Sequence, residues 1–136
     1  SEHVDKVLRP AVNAGKIVLC DRFSDSTLVY QGLAAGLKLS ELGELRQLNT
    51  IATQGFAPAL TLVLDGRPEV LAERRDARGV SDRFELKGLE FQHTLRNGFL
   101  TLAEADPERF TVVNAEGSED EVHSEIMKAI SQALNK

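Results

Sequence analysis

The sequence is short of almost everything that would tie it to a membrane, an oxidising compartment or a metal centre. Cysteine occurs once in 136 residues, at Cys20. No intrachain disulfide can form, and a reducing cytoplasm is the expected setting. No apolar run approaches the roughly 20 residues that cross a bilayer. The opening residues Ser1-Glu2-His3-Val4-Asp5 carry none of the features of a secretory signal. Histidine is sparse as well. His3, His93 and His123 stand far apart with no partner at metal-ligand spacing, so no zinc site is expected. Positive charge is not in surplus: 16 Lys and Arg face 21 Asp and Glu, a net −5. That balance argues against a surface that coats nucleic acid, although a local anion site stays open. What remains is 42% hydrophobic and 27% charged, the make-up of one globular domain with a core of its own.

The chain is organised around Lys16-Ile17-Val18-Leu19-Cys20-Asp21-Arg22-Phe23. Its short apolar run reads as a parallel strand buried on both faces, with Cys20 as a small core residue rather than a nucleophile. Ligands in open α/β sheets bind outside the carboxyl ends of such strands, which is where Asp21 and Arg22 fall. A carboxylate can organise Mg²⁺, and a guanidinium fork matches phosphate oxygens.

The rest alternates helix and strand. Val4, Val7, Leu8, Ala11 and Val12 follow helical spacing, as if the chain entered partway through a helix, with Pro10 as a kink or early stop. Ser24 to Gln31 is a short helix capped by Ser24 or Asp25 and stopped at Gly32. Gly32 to Gly36 reads as a loop. Ser40 is expected to cap a helix with Leu42, Leu45, Leu48 and Ala52 on its buried stripe. A second strand spans Leu60 to Asp65, and Pro68 suits the first turn of the next helix. The apolar pattern lapses from Arg74 to Arg83, which reads as a mobile loop. Helix resumes near Glu85, with Phe84, Phe91, Leu95, Phe99 and Leu102 on one face. Phe110 to Asn114 is the third strand, and Ser118 with Glu121 forms a capping box for the last helix. In that helix Val122, Ile126, Ala129, Ile130 and Ala133 line the core face. A parallel α/β layer fold follows.

Two constellations can carry chemistry. In the first, Thr27 and Gln31 lie four apart on a helix face able to read the polar edge of a nucleobase, and Tyr30 can close over a sugar. The competing reading is a capped helix behind a satisfied Asp-Arg salt bridge. In the second, Arg67, Arg74, Arg75, Arg78 and Arg83 make up five of the ten arginines, with no lysine among them. Arginine is preferred where phosphate is gripped bidentately or a guanidinium stacks on a base. On a lid-like loop such residues can neutralise a transferring phosphoryl group. The alternative is a solvated helix end with favourable dipole contacts. Asn114 to Ser118 can touch a base, as can any loop after a strand.

With these residues in view, the chain resembles bacterial thymidylate kinases. His3 to Ala11 leading into Val18-Leu19-Cys20-Asp21-Arg22-Phe23 and then Ser26-Thr27-Leu28-Val29-Tyr30-Gln31-Gly32 carries the likeness. So do Leu60 to Asp65 with Pro68-Glu69, and the lid-like Arg74-Arg75-Asp76-Ala77-Arg78-Gly79 with Asp82-Arg83-Phe84-Glu85. The resemblance implies a P-loop kinase-like sheet and transfer of the γ-phosphoryl of ATP to dTMP, giving dTDP, with Mg²⁺. It would set Asp21 beside the reacting phosphates and the metal, and Arg22 on the dTMP phosphate. Thr27 and Gln31 would face thymine, and Tyr30 would pack on the deoxyribose. Arg74 would lie against adenine, Arg78 would stabilise the transferring group, and Arg83 would complete the ATP side. Glu85 would join the water network around the sugar. Phe23 stands where tyrosine or histidine is often found in the family. A homodimer through the Val4–Val12 and Leu42–Ala52 helices is implied, with no nucleic acid or membrane partner.

One motif of that family is missing: G-x-x-x-x-G-K-[ST] occurs nowhere in these 136 residues. The expectation is therefore the C-terminal two-thirds of a nucleoside monophosphate kinase domain, with a lid at about residues 74–84 and activity lost on its own. Three strands are expected without the central one, whose neighbours would lack backbone partners. The alternatives are another nucleoside or nucleotide kinase, or a non-catalytic kinase-derived nucleotide-binding module.

Overall fold

A computed structural model describes residues 2–78 and 86–136. The chain divides into two compact units, Ser1–Pro58 and Ala59–Lys136, and each is taken by itself.

The first unit is helical. A π-helical turn at Val4–Leu8 runs directly into α1 (Arg9–Asn13). Proline at position 10 has no N–H and its ring crowds the carbonyl four residues back, so an α-helical ladder cannot pass through it unchanged. The wider turn, with Arg9 N–H donating to the Val4 carbonyl, takes up that mismatch. The helix neither stops nor breaks at Pro10. It ends at Gly15, whose φ of 76° only glycine adopts at little cost. Helix α2 (Ser24–Tyr30) and α3 (Gly43–Thr53) complete the unit, with 3₁₀ turns at Leu33–Ala35 and Leu39–Glu41 between them. Val4, Leu8, Leu28, Val29 and Leu42 form its core. Gly32 is required by proximity: a Cβ there would lie 2.4 Å from the Leu28 carbonyl oxygen and 2.5 Å from Leu42 Cδ2.

Several local expectations fail here. Phe23, extended and without a side-chain cap bond, holds the N-cap position of α2, with Ser24 and Asp25 already inside the helix. Asp25 is buried. Leu42, not Ser40, precedes α3. Of the predicted stripe only Leu42 is buried, while Leu48 and Ile51 face outward, 60% and 67% exposed.

The main correction concerns Ile17 to Cys20. The segment forms no strand; it runs unpaired, with Ile17 66% and Leu19 81% exposed. A strand is stabilised by a neighbour's ladder and by cover on its faces, and this stretch has no ladder partner among the described residues. The three-stranded expectation is thus reduced to two strands among the described residues.

The second unit is the α/β part. Strands β1 (Thr61–Asp65) and β2 (Phe110–Asn114) pair in parallel, Val63 opposite Val112 and Asp65 opposite Asn114. Between them run α4 (Pro68–Ala77) and α5 (Leu86–Ala105), and α6 (Glu119–Leu134) follows β2. A parallel pair needs such a helical crossover. Leu95, Leu102 and Ala103 of α5, Phe110 and Val113 of β2, and Ala129 of α6 are buried. Pro68 begins α4 as anticipated, and the Ser118–Glu121 capping box is present. Phe91, assigned to the core face, is 47% exposed. Nor does the chain leave helix at Arg74: α4 continues to Ala77 and Arg78 caps it. The Ala-Glu-Arg-Arg-Asp-Ala run lacks apolar periodicity yet is mostly good helix formers, and that propensity wins. The remainder of the anticipated lid, together with Phe84, lies outside the described residues.

Candidate functional site

In the first unit the candidate residues gather between the extended segment and α2. Arg22 has a left-handed backbone, φ 61°, a conformation that costs a non-glycine residue about 1–2 kcal/mol. Its guanidinium carbon lies over the Tyr30 ring, 5.4 Å from the centroid. The Cys20 thiol donates to the Arg22 carbonyl at 3.4 Å. No Asp21–Arg22 salt bridge forms, so the satisfied-pair reading does not hold. Asp21 is exposed and, among the described residues, has no hydrogen-bond or ion-pair partner. Along α2, Gln31 N–H donates to the Thr27 carbonyl at 2.9 Å, which sets these two residues one turn apart beside Tyr30. Asn49 of α3 ties the helix down by donating to the Ser24 carbonyl at 2.8 Å.

No group of three or more His, Cys, Asp or Glu side chains that could hold a metal occurs among the described residues. A lone exposed carboxylate such as Asp21 still fits Mg²⁺, which keeps most of its waters and is held by one or two carboxylates together with substrate phosphates.

The second unit places its charged groups around the carboxyl ends of β1 and β2. Asp65 accepts two bonds from Arg96 of α5, at 2.7 and 3.0 Å. Its carboxylate is therefore spent on structure, unlike that of Asp21. Glu116, just past β2, accepts from Arg67 Nε at 2.9 Å, from Nη2 at 3.0 Å and from the Arg67 backbone N–H at 2.6 Å. These bonds hold the Glu116 carboxyl well down, from 4.5 to about 2. Arg74 donates to the Ala115 carbonyl at 2.7 Å and also to the Glu116 carbonyl. Arginines at 67 and 74 thus clamp the loop after β2. Glu69 and His93 pair at 2.5 Å across α4 and α5, and this bond with the His93 ring lowers the Glu69 carboxyl. Arg78 sits 3.8 Å from Glu119, both side chains exposed.

In the first unit the Asp21 carboxylate and the Arg22 guanidinium thus have no ionic partner among the described residues, next to a helix bearing Thr27 and Tyr30 and capped by Gln31. The thymidylate kinase family model matches residues 1–126. The chain belongs to the thymidylate kinase family. It is 46% identical over 134 residues to the thymidylate kinase of a Synechococcus strain, covering 98% of this chain and 62% of that protein. The thymidylate kinase of Symbiobacterium thermophilum is 43% identical over 98% of this chain and 61% of its own length. That of Deinococcus radiodurans is 46% identical over 95% of this chain and 61% of its own. The chain therefore spans about three-fifths of the curated relatives it matches.

Of the residues the resemblance pointed to, Asp21, Arg22, Thr27, Tyr30 and Gln31 stand together in the first unit. Arg74 and Arg78 belong to the second, and Arg83 and Glu85 lie outside the described residues. Sequence reasoning missed the partners: Arg96 for Asp65, Glu116 for Arg67 and His93 for Glu69. Arginines at 67 and 74 read as candidate nucleotide ligands, on phosphate or on base, because their acceptors lie more than 40 positions away. The one available signal was Asp65 itself, a carboxylate closing an apolar strand and in need of a cation.

Proposed function

We propose that the protein is a thymidylate kinase component that, with a phosphate-binding loop, moves the γ-phosphoryl of ATP to dTMP to give dTDP in nucleotide biosynthesis. The observation that carries this is Arg22, held with no carboxylate partner among the described residues beside Thr27, Tyr30 and Gln31 in a family member. Its fork takes the phosphate of dTMP. Thr27 and Gln31 read thymine, and Tyr30 packs on the deoxyribose. Asp21 sits beside the reacting phosphates and holds Mg²⁺, which when bound neutralises charge on the phosphate oxygens. Arg74 keeps its planar face for adenine while its edge holds the loop carbonyls. Arg78 stabilises the transferring group, Arg83 completes the ATP side and Glu85 joins the water network at the sugar. A cytoplasmic homodimer is part of the proposal, supported by the outward-facing Val7, Val12, Leu48 and Ile51. No helix among the described residues is long and apolar enough to cross a membrane.

A coupled kinase assay tests the reading. The 136-residue chain alone is expected to show no turnover. A version extended with the upstream coding sequence is expected to phosphorylate dTMP in preference to dCMP and dUMP. Clear turnover by the short chain, or no preference for dTMP in the extended one, would sink it.

A further inference from the structure

Three independent contacts and constraints meet at Arg22. Its backbone is left-handed at φ 61°, its carbonyl accepts the Cys20 thiol at 3.4 Å, and its guanidinium lies over the Tyr30 ring at 5.4 Å. A carboxylate would neutralise the guanidinium and occupy its N–H donors. An aromatic ring attracts the charge through its quadrupole and leaves those donors unspent. We infer that Tyr30 is a positioning residue for Arg22: its ring holds the guanidinium in place with its N–H edge open to the oxygens of a phosphate monoester, and the Cys20 thiol steadies the strained backbone beneath it. The inference rests on the reading that Arg22 receives the dTMP phosphate. It gives Tyr30 a task before any nucleotide arrives, separate from packing on the sugar.

The composition supplies the probe. Tyr30 is the only tyrosine and there is no tryptophan, so the near-UV tyrosine band and the tyrosine emission of the whole chain report on this ring alone. In the 136-residue chain, Arg22→Met is expected to change both signals and to abolish binding of inorganic phosphate. In the wild-type chain, phosphate is expected to register at Tyr30. By calorimetry, Tyr30→Phe should keep phosphate affinity within about twofold, because the ring stays, whereas Tyr30→Leu should weaken it about two- to fivefold. A tyrosine signal indifferent to Arg22→Met, equal phosphate affinity in the Phe and Leu variants, or no phosphate binding by the wild-type chain would overturn the inference. If the spectral coupling and the Phe–Leu difference hold but dTMP binds no tighter than inorganic phosphate, the thymidylate reading fails and the Arg22–Tyr30 device stands.

Discussion

Removing the Arg96 guanidinium should loosen the carboxyl end of β1 by an amount that its surroundings set. Arg96 and Asp65 are joined by two bonds at 2.7 and 3.0 Å, with side chains 29% and 19% exposed. A fully exposed pair of this kind is worth about 0.2–1 kcal/mol. Breaking a fully buried one costs about 3–5 kcal/mol, since a charge is then left alone in a poor solvent. Exposures of a fifth to a third fall between, and about 2 kcal/mol is the expected cost of Arg96→Met, which keeps the apolar stem. The reporter is the Ala115 amide, which donates to the Asp65 carbonyl at 2.7 Å. At 1.36 kcal/mol per decade, its hydrogen-exchange protection should fall about thirtyfold. Asp65→Asn should also lower it, and the double variant should fall short of the sum by about tenfold, the signature of two groups in one interaction. A drop of less than about threefold in Arg96→Met, or strict additivity, would refute the view that this pair fixes the strand end.

Three further outcomes follow from named contacts. Gly32→Ala would drive a Cβ into the Leu28 carbonyl and Leu42, and overpacking of this kind costs about 1–3 kcal/mol; urea unfolding followed through Tyr30, which lies in the same unit, measures it. Glu116 is depressed to about 2 from 4.5, so its contribution to stability is fully present above about 4.5 and is lost as pH falls toward 2. A side-chain carboxyl titration by NMR should place its midpoint well below the ordinary glutamate value of 4.5, and Arg67→Met should bring it back up. Leu19→Ala should change the stability of the 136-residue chain by less than about 0.5 kcal/mol, as for a surface position; a loss above about 2 kcal/mol would mean that the segment packs as a buried strand after all.

Much of the second unit could be read residue by residue because its signals are local. Two apolar runs closed by polar residues, a proline in a first turn and a Ser-x-x-Glu box each act within a few positions, and each appears where it was expected. The charged contacts were hidden for the opposite reason. Arg67 reaches Glu116 across 49 positions and Arg96 reaches Asp65 across 31, and nothing in a run of arginines says whether its acceptors are phosphates or the protein's own carbonyls. Caps misled where a nearby Ser or Asp looked suitable: Asp25 went into the core and Phe23 took the turn. In the candidate site the motif order singled out Arg22, Thr27, Tyr30 and Gln31 as candidates, but no local pattern showed that Arg22 would turn onto Tyr30.

The failure at Ile17–Cys20 and the success at Thr61–Asp65 come from the same physics. Both stretches are short, apolar, rich in β-branched residues and closed by an aspartate. One finds a parallel partner in β2 and helices over it; the other has neither among the described residues and leaves Leu19 81% exposed. A hydrophobic run states only that burial would be favourable. Whether it becomes a strand depends on a neighbour's free carbonyls and amides, which no local pattern contains. Arg22 nonetheless keeps a defined place without that strand. Among the described residues the contacts that hold Arg22 come from Cys20 and Tyr30, so the end of the segment is organised by its own sequence neighbours and the helix that follows it.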